Sequence, residues 1–339
     1  MKCIVGMSGG VDSSVTATLA KKEGYEVIGC TFKMFDSEKT EAFIKDAQAV
    51  ANTLNIKHEV VDCRELFEKH VQSYFVDLYA KGETPNPCVM CNDLVKFTML
   101  DIVRQQHCAD IMMTGHYAIL KHENNNVELH QGIDPSKDQS YFLYRVTRDK
   151  LLNTRFPLGE LHKTDTRKLA REFGLIVAEK SDSQDICFIP SGDYKGFLKN
   201  RLTFNDGNIV DENGKILGHH NGVVNYTIGQ RKGLGLAGGP FFVKRLDPQN
   251  NLVIVSDKSN LGVSKIQLKS VRFINDEFLG NCEVKIRSSS KKHSATVKKY
   301  DNTYFVEFNI PEYGVALGQH CVCYIGTQVV GGGIIEQTL

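Results

Sequence analysis

Residues 6 to 14 form a glycine- and serine-rich segment with the composition of a phosphate-binding loop. The segment follows a short apolar run and opens a helical pattern, so backbone N–H groups and the positive end of a helix are expected to converge there. It contains no lysine, unlike a Walker A loop, and it lacks the Gly-x-Gly-x-x-Gly spacing of dinucleotide sites. Its residues are Gly6, Met7, Ser8, Gly9, Gly10, Val11, Asp12, Ser13 and Ser14. We predict a nucleotide site of another kind, in which Asp12 is a candidate ligand for magnesium on the pyrophosphate.

Two cysteines three residues apart, Cys88 and Cys91, lie in a proline-rich segment that runs from Thr84 to Asn92. Because two prolines fix φ, we expect a rigid loop that enters a helix near Asn92. Cys91 would then lie at or just before the helix start, where the positive helix end lowers the pKa of a thiol and favours the nucleophilic thiolate. A third cysteine, Cys187, lies between a polar loop and an apolar flank, a position that alone is more typical of a buried structural cysteine.

The other cysteine chemistries are less favoured by the spacing. A single Cys-x-x-Cys pair is a weak indication of zinc, because no second pair and no histidine pair follows at finger spacing. The apolar run at residues 1–7 is too short for a signal-peptide core or a membrane span. We therefore expect a cytosolic protein without membrane association, and the ten cysteines then do not indicate a disulfide framework.

The elements that must position these residues alternate along the first part of the chain. Apolar strand-like runs at 2–7, 26–34, 58–63 and 110–114 are separated by amphipathic helical patterns at 13–23, 38–54, 65–79 and 92–106. Such alternation predicts a doubly wound α/β domain with a parallel sheet, whose ligands lie beyond the carboxyl ends of the strands.

After about residue 200 the pattern changes to short β-type runs separated by glycine-containing turns. The runs are 223–228, 241–245, 252–255, 282–287, 304–308 and 321–325. The chain has 339 residues, 41% of them apolar, which is enough for two or three cores. We predict an N-terminal nucleotide-binding domain over residues 1–200, followed by two small β-barrel domains, a central one over 201–262 and a C-terminal one over 263–339.

The net charge of +1 does not by itself indicate a nucleic-acid partner, but the charge is unevenly distributed. Residues 265–299 contain nine lysines and arginines against three acidic residues, a local balance of +6. A strip of this kind suits contact with phosphates, although a solvated barrel face would have the same composition.

Taken together and in this order, the segments resemble the bacterial tRNA-specific 2-thiouridylase family over nearly the whole chain. The Ser-Gly-Gly-x-Asp-Ser core of the first segment is similar to the pyrophosphatase loop of ATP-dependent adenylating enzymes, which cleave between the α- and β-phosphates. The other matching segments are 84–92, Thr114–Ala118, Lys137–Tyr141, Asp185–Phe188, Tyr226–Gly235, Gly318–Gln319 and Gly331–Ile335.

The resemblance implies roles for individual residues. ATP would be bound by Gly6 to Ser13, by Phe32, where family members commonly have methionine, and by Gly115. The target base would contact Asn86, Pro87 and Cys88, and well-known members have aspartate in place of Cys88. The residues implied to contact tRNA are His116, Lys137, Asp138, Gln139, Arg287, Ser288 and Gln319.

The resemblance also implies a reaction. ATP would adenylate the 2-carbonyl oxygen of the wobble uridine in tRNAs for lysine, glutamate and glutamine. Cys187 would carry sulfur as a persulfide received from a cysteine desulfurase or a sulfur-relay protein. Cys91 would act as the nucleophile that frees the sulfur or closes a transient disulfide with Cys187.

Three alternatives remain open at this point. The extra thiol of Cys88 raises a second chemical route, in which Cys88, Cys91 and Cys187 bind a four-iron, four-sulfur cluster with one open iron site. A synthetase of the amidotransferase type would share the nucleotide loop but would not need the cysteines. A non-catalytic RNA-binding protein with a relic loop would bind tRNA without consuming ATP.

Overall fold

The computed structural model describes residues 1–182, 186–189 and 192–339, and its N-terminal part is built on a five-stranded parallel sheet. The strand order is β3-β2-β1-β4-β7, and every neighbouring pair is parallel, as the sequence predicted. The strands are β1 (Lys2–Gly6), β2 (Glu26–Lys33), β3 (Lys57–Asp62), β4 (Ile111–Met113) and β7 (Thr154–Arg155).

Helices cover both faces of this sheet. Because side chains alternate along a strand, Cys3 and Val5 pack into one apolar core, whereas Ile4 packs into the other. The helices are α1 (Val11–Lys22), α2 (Glu38–Thr53), α3 (Arg64–Phe67), α4 (Ser73–Ala80), α5 (Pro87–Met90), α6 (Phe97–Gln106), α7 (Arg148–Leu152), α8 (Lys163–Glu172) and α9 (Tyr194–Lys199). The predicted doubly wound α/β fold is therefore confirmed.

Two helices are continuous through π-helical turns. Residues Glu68–Gln72 join α3 to α4, and residues Cys91–Lys96 join α5 to α6. The second turn carries one of the candidate catalytic cysteines, and π-helical turns are frequent at functional sites. Among the residues described, no helix is both long and apolar enough to cross a membrane.

A small four-stranded sheet follows, with strand order β10-β11-β8-β9. Its strands are β8 (Gly207–Val210), β9 (Ile216–His220), β10 (Phe242–Asp247) and β11 (Leu252–Ser256). The predicted strand at 223–228 is wrong, because Val223–Asn225 forms a 3₁₀ turn. Val223 and Val224 are apolar there because they pack into two different cores, and not because they lie on one face of a sheet.

The last six strands close into a barrel, since the first and the last of them pair with each other. They are β12 (Val263–Phe273), β13 (Gly280–Lys285), β14 (His293–Tyr300), β15 (Thr303–Glu312), β16 (His320–Ile325) and β17 (Gln328–Thr338). A hairpin from the N-terminal part, β5 (Ala118–Glu123) and β6 (Asn126–Gln131), extends the barrel sheet, because β6 pairs with β17. The barrel and the parallel sheet are thus physically joined.

Candidate active site

The glycine- and serine-rich loop lies between β1 and α1, at the carboxyl end of the parallel sheet. The Ser13 hydroxyl accepts a hydrogen bond of 3.0 Å from the Ser8 backbone N–H, which curls the loop over the start of α1. Gly9 has φ of 68°, and a Cβ there would lie 2.3 Å from the carbonyl oxygen of Phe43. A Cβ at Gly115 would lie 2.8 Å from the backbone of Asp12. The structure therefore brings Gly115 against the loop, as an ATP site shared by both requires.

Asp12 is held by neighbours that the sequence analysis did not identify. The Lys163 ammonium lies 2.6 and 2.8 Å from its two carboxylate oxygens, and the Tyr117 hydroxyl donates a hydrogen bond of 2.9 Å to the first of them. The prediction that Asp12 helps to hold magnesium stays a prediction, and in this structure the carboxylate pairs with a lysine.

A second carboxylate, Asp182, gathers three cations beside the loop. Lys163 lies 3.0 Å, Lys137 2.7 Å and Arg167 2.8 Å from its oxygens. Although partial burial disfavours the charged form, hydrogen bonds from Lys137 and Lys163 lower the pKa of Asp182 to about 2. The carboxylate is therefore ionised at any physiological pH and keeps these cations close to the loop.

Phe32 lies near the carboxyl end of β2, half-buried between two apolar clusters. Two residues later, the thioether of Met34 lies 3.8 Å from the Cys91 sulfur. The strand that carries the predicted adenine contact thus leads directly to the cysteine site.

The expected position of Cys91 at a helix start is wrong. The helix begins at Pro87, because the Asn86 side chain accepts a hydrogen bond from the Val89 N–H and caps it. Cys91 therefore lies one turn inside the helix, where it is 5% exposed. Burial raises its pKa to about 12 instead of lowering it, and the nearby thiols of Cys187 and Cys88 add to that shift.

The three predicted thiols nevertheless converge, and Lys96 lies among them. A π-helical turn joins residues five apart, so Lys96 lies above Cys91 on the same side of the helix. Desolvation raises the pKa of Cys88, Cys91 and Cys187, and the charge of Lys96 opposes the shift in each case. The three thiols in turn outweigh the desolvation of Lys96, whose pKa is raised. The sequence analysis missed Lys96, although its spacing of five from Cys91 is visible.

The iron–sulfur alternative is not supported by this arrangement. In residues 1–182, 186–189 and 192–339, no three histidine, cysteine, aspartate or glutamate side chains are grouped as a metal site. Cys91 is buried and faces Met34, whereas Cys88 and Cys187 are exposed.

His116 belongs to the same region. Its ring lies 5.7 Å from the Phe97 ring, and its Nδ1 lies 2.7 Å from the Thr114 hydroxyl. Burial, with the nearby charge of Lys96, lowers the pKa of His116 to about 3. The imidazole is therefore neutral near pH 7 and suits hydrogen bonding better than ion pairing with a phosphate.

Four residues predicted to contact tRNA have partners within the protein. Lys137 pairs with Asp182, and the Asp138 carboxylate accepts hydrogen bonds of 3.1 Å from the Ser140 backbone N–H and 3.2 Å from the Gly132 backbone N–H. Gln139 accepts a hydrogen bond of 2.9 Å from the Tyr117 N–H. The Gln319 amide donates to the carbonyl oxygens of Thr84 and Pro85, just before the cysteine helix. These contacts hold the four side chains in place, and their contact with tRNA stays a prediction.

Comparison with known proteins gives matches over nearly the whole chain. Residues 1–191 match a family profile described as tRNA methyl transferase HUP domain, residues 195–257 a tRNA methyl transferase PRC-barrel domain, and residues 263–335 an aminomethyltransferase beta-barrel domain. A Rickettsia africae protein named tRNA-specific 2-thiouridylase MnmA is 45% identical, with the alignment covering 99% of this chain and 97% of that protein. A Zymomonas mobilis protein of the same name is 43% identical over 99% of this chain and 94% of its own.

The chain belongs to the tRNA-specific 2-thiouridylase family. The profile names mention methyl transfer, but the relatives named for thiolation match the entire chain and decide the family. Among solved structures, the U34-tRNA thiolase NcsA of Methanococcus maripaludis with its iron–sulfur cluster has 19% identity and a TM-score of 0.37, over 54% of this chain and 60% of that one. A likeness of that size carries no weight for the fold or the cofactor of this 2-thiouridylase-family chain.

The basic strip of this 2-thiouridylase-family chain is less positive than its composition predicts. Six of its nine cations pair with five carboxylates, three of which lie outside the strip, and two of those three lie near the cysteine helix. The pairs are Lys265 and Lys298 with Glu307, Lys299 with Glu277, Lys292 with Glu283, Lys269 with Glu83 and Arg272 with Asp93. For Lys285, Arg287 and Lys291, the part of the chain that is described contains no ion pair.

Arg287 opens onto a cleft of about 440 Å³ between the central β domain and the barrel. Lys258, Phe242 and Tyr313 also line the cleft, and the next residue, Ser288, is half-buried. Two cations beside aromatic rings are the side-chain types that contact phosphates and unstacked bases of RNA.

Proposed function

We propose that this protein is an ATP-dependent tRNA sulfurtransferase that replaces the 2-carbonyl oxygen of the wobble uridine with sulfur. The observation that carries the proposal is the convergence of Cys88, Cys91, Cys187 and Lys96 beside the sheet edge that bears the nucleotide loop. A nucleotide loop alone would suit any adenylating enzyme. A cluster of three thiols with one ammonium supplies the sulfur chemistry that an amine-transferring synthetase does not need.

The reaction begins with activation of the carbonyl. The uridine oxygen attacks the α-phosphorus of ATP, and pyrophosphate leaves, so a poor leaving group becomes AMP. Backbone N–H groups of residues 8–13 and the start of α1 offset the negative charge that develops on the phosphates. We place Phe32 and Gly115 at the two sides of the adenosine.

Sulfur transfer then uses two cysteines. The terminal sulfur of a Cys187 persulfide attacks the activated carbon, and AMP leaves with the original oxygen. The Cys91 thiolate attacks the Cys187 sulfur, which forms a Cys91–Cys187 disulfide and leaves the other sulfur on the base. An external dithiol reductant must then reduce the disulfide before the next turnover.

We propose the partners on the same basis. The sulfur donor is a protein persulfide, from a cysteine desulfurase or a sulfur-relay protein, and exposure of Cys187 makes it the accessible acceptor. The substrates are the tRNAs for lysine, glutamate and glutamine. Arg287 and Ser288 contact the tRNA, and Asn86, Pro87 and Cys88 surround the target base.

The test is tRNA thiolation by anaerobically purified protein, with ATP and a persulfide donor, combined with iron and sulfide analysis. We expect a colourless, active protein, and we expect Cys91→Ser and Cys187→Ser each to abolish 2-thiouridine. Cys108→Ser is the matched control, because Cys108 is an exposed thiol after α6, away from the site. Full activity in either site variant would refute the two-cysteine route, and cluster absorbance with sulfide-dependent activity would replace it with the iron–sulfur route.

A further inference from the structure

Two lysines that come from outside the nucleotide loop approach it from separate elements. Lys163 is the first residue of α8, and Lys180 lies in the segment after it. We infer that Lys163 and Lys180 complete a pyrophosphate subsite, and that the carboxylates of Asp12 and Asp46 hold them until phosphate oxygens displace those carboxylates. This inference rests on the ATP-dependent reaction proposed above and names the groups that receive its leaving group.

Lys163 is built into the site rather than lying on the surface. Its residue is 8% exposed, and its backbone N–H donates a hydrogen bond of 3.0 Å to the buried Asp134 carboxylate, which fixes the start of α8. The side chain then reaches Asp12 at the start of α1. An ammonium with so little access to water requires an anionic partner, and Asp12 and Asp182 both supply one in this structure.

Lys180 contacts the loop itself. Its ammonium donates a hydrogen bond of 3.0 Å to the carbonyl oxygen of Gly9 and pairs with Asp46 on α2. The ammonium also lies 4.4 Å from the centre of the Phe43 ring. Lys180 therefore lies at the opening of the loop. Of its three contacts, the Asp46 carboxylate is the one whose charge would compete with a phosphate for the ammonium.

The charges favour exchange of partners. Lys163, Lys180, Lys137 and Arg167 face Asp12, Asp46 and Asp182, so the cluster keeps one uncompensated positive charge. Pyrophosphate carries several negative charges and many acceptor oxygens, whereas each carboxylate carries one charge. Pyrophosphate can accept hydrogen bonds from the backbone N–H groups of the loop while it contacts the lysines, whereas a carboxylate of the protein cannot do both.

The experiment measures binding of inorganic pyrophosphate alone to the full-length protein by calorimetry. We expect Lys163→Met and Lys180→Met each to raise Kd by about tenfold or more, because each removes a charge-assisted contact. Lys168→Met is the matched control, since Lys168 lies on α8 but its side chain is 75% exposed and its ammonium lies 3.8 Å from Glu172. The control is expected to bind as the wild type does.

Asp46→Asn is the decisive variant, because its expected effect on the Kd of pyrophosphate is opposite in sign to that of the lysine variants. Removing the carboxylate that competes for Lys180 is expected to tighten pyrophosphate binding by about threefold, an effect that a purely structural ion pair does not produce. If Lys163→Met does not fold, Lys180→Met and Asp46→Asn still decide, since Lys180 is more exposed. Unchanged Kd in Lys180→Met, or weaker binding in Asp46→Asn, would overturn the subsite.

The measurement contains neither tRNA nor a sulfur donor. Loss of pyrophosphate binding in the lysine variants therefore supports the subsite even if the thiolation proposal fails. Conversely, a protein that thiolates tRNA while Lys163→Met and Lys180→Met both bind pyrophosphate normally would refute the subsite and leave the proposed reaction intact.

Discussion

At the scale of single residues, the reactivity of the cysteine site depends on Lys96 and not on a helix end. Cys91 lies inside its helix and has almost no contact with solvent, so the thiolate needed for nucleophilic attack is unfavourable there. Lys96 is the cation whose charge acts on all three thiols. Burial keeps His116 neutral, and the same charge adds to that effect, so one ammonium influences the protonation of four neighbouring groups.

Replacement of Lys96 by methionine tests this role. Without the ammonium, the thiol pKa values rise further, so the alkaline rise of the thiolation rate is expected to move to higher pH by about one unit. At pH 7.5 the rate then falls about tenfold. Iodoacetamide alkylation of Cys187 and Cys91 against pH, followed by mass spectrometry, reports the same shift without substrate.

Lys69→Met is the control for that substitution. Lys69 lies in the other π-helical turn, is exposed, and is not among the groups that act on the thiols. Its profile is expected to overlay that of the wild type. An unshifted alkylation profile in Lys96→Met, with a normal unfolding temperature, would show that Lys96 does not tune the thiols.

At the scale of elements, the sequence predicted the strand bounds that depend on the local pattern of apolar residues. The bounds of β1 to β4 were predicted within one residue, because β1, β2 and β4 are short buried apolar runs and β3 is a short run next to polar turn residues. The true start of the cysteine helix was missed, because the cap is Asn86 and its hydrogen bond places Pro87 in the first turn. That difference of one helical turn reversed the expected pKa shift of Cys91.

The cysteine helix is fastened to the barrel by a buried ion cluster. Asp93, two residues after Cys91, is 2% exposed and lies 3.1 Å from Arg145 and 2.8 Å from Arg272 on β12. Arg145 also donates a hydrogen bond of 2.8 Å to the Ser270 carbonyl oxygen. The helix therefore cannot shift relative to β12 without separating buried charges.

Asp93→Asn is expected to destabilise the protein by about 3–5 kcal/mol, because it leaves two arginines without a buried counter-charge. Urea unfolding followed by circular dichroism measures the change. Asp101→Asn on α6 is the control, since Asp101 pairs with Arg104 at 2.8 Å on a more exposed face, and a loss below about 1 kcal/mol is expected there. Equal losses in the two variants would contradict the role assigned to the cluster.

At the scale of the whole molecule, contacts between residues distant in sequence make the C-terminal barrel part of the structure that supports the active site. The β5–β6 hairpin extends the barrel sheet, and Gln319 holds the segment that leads to Asn86. Sequence reasoning could not find these contacts, because pairing between residues about 200 positions apart leaves no local pattern. For the same reason, the ion pairs of Lys269 with Glu83 and of Arg272 with Asp93 were invisible in the composition of the basic strip.

The last prediction concerns tRNA binding by Arg287, a cation of the basic strip that lines the cleft described above. Arg287→Ala removes a cation that has no acidic partner in the described part of the chain, so tRNA affinity is expected to fall and the slope of log Kd against log salt to decrease by about one. Lys298→Ala is the matched control, because Glu307 already neutralises Lys298 at 2.6 Å on the same strip, and its slope is expected to equal that of the wild type. Filter binding from low to moderate salt measures both. Equal slopes in all three proteins would mean that tRNA phosphates do not reach this cleft, since a cation that releases counterions on binding must change the salt dependence.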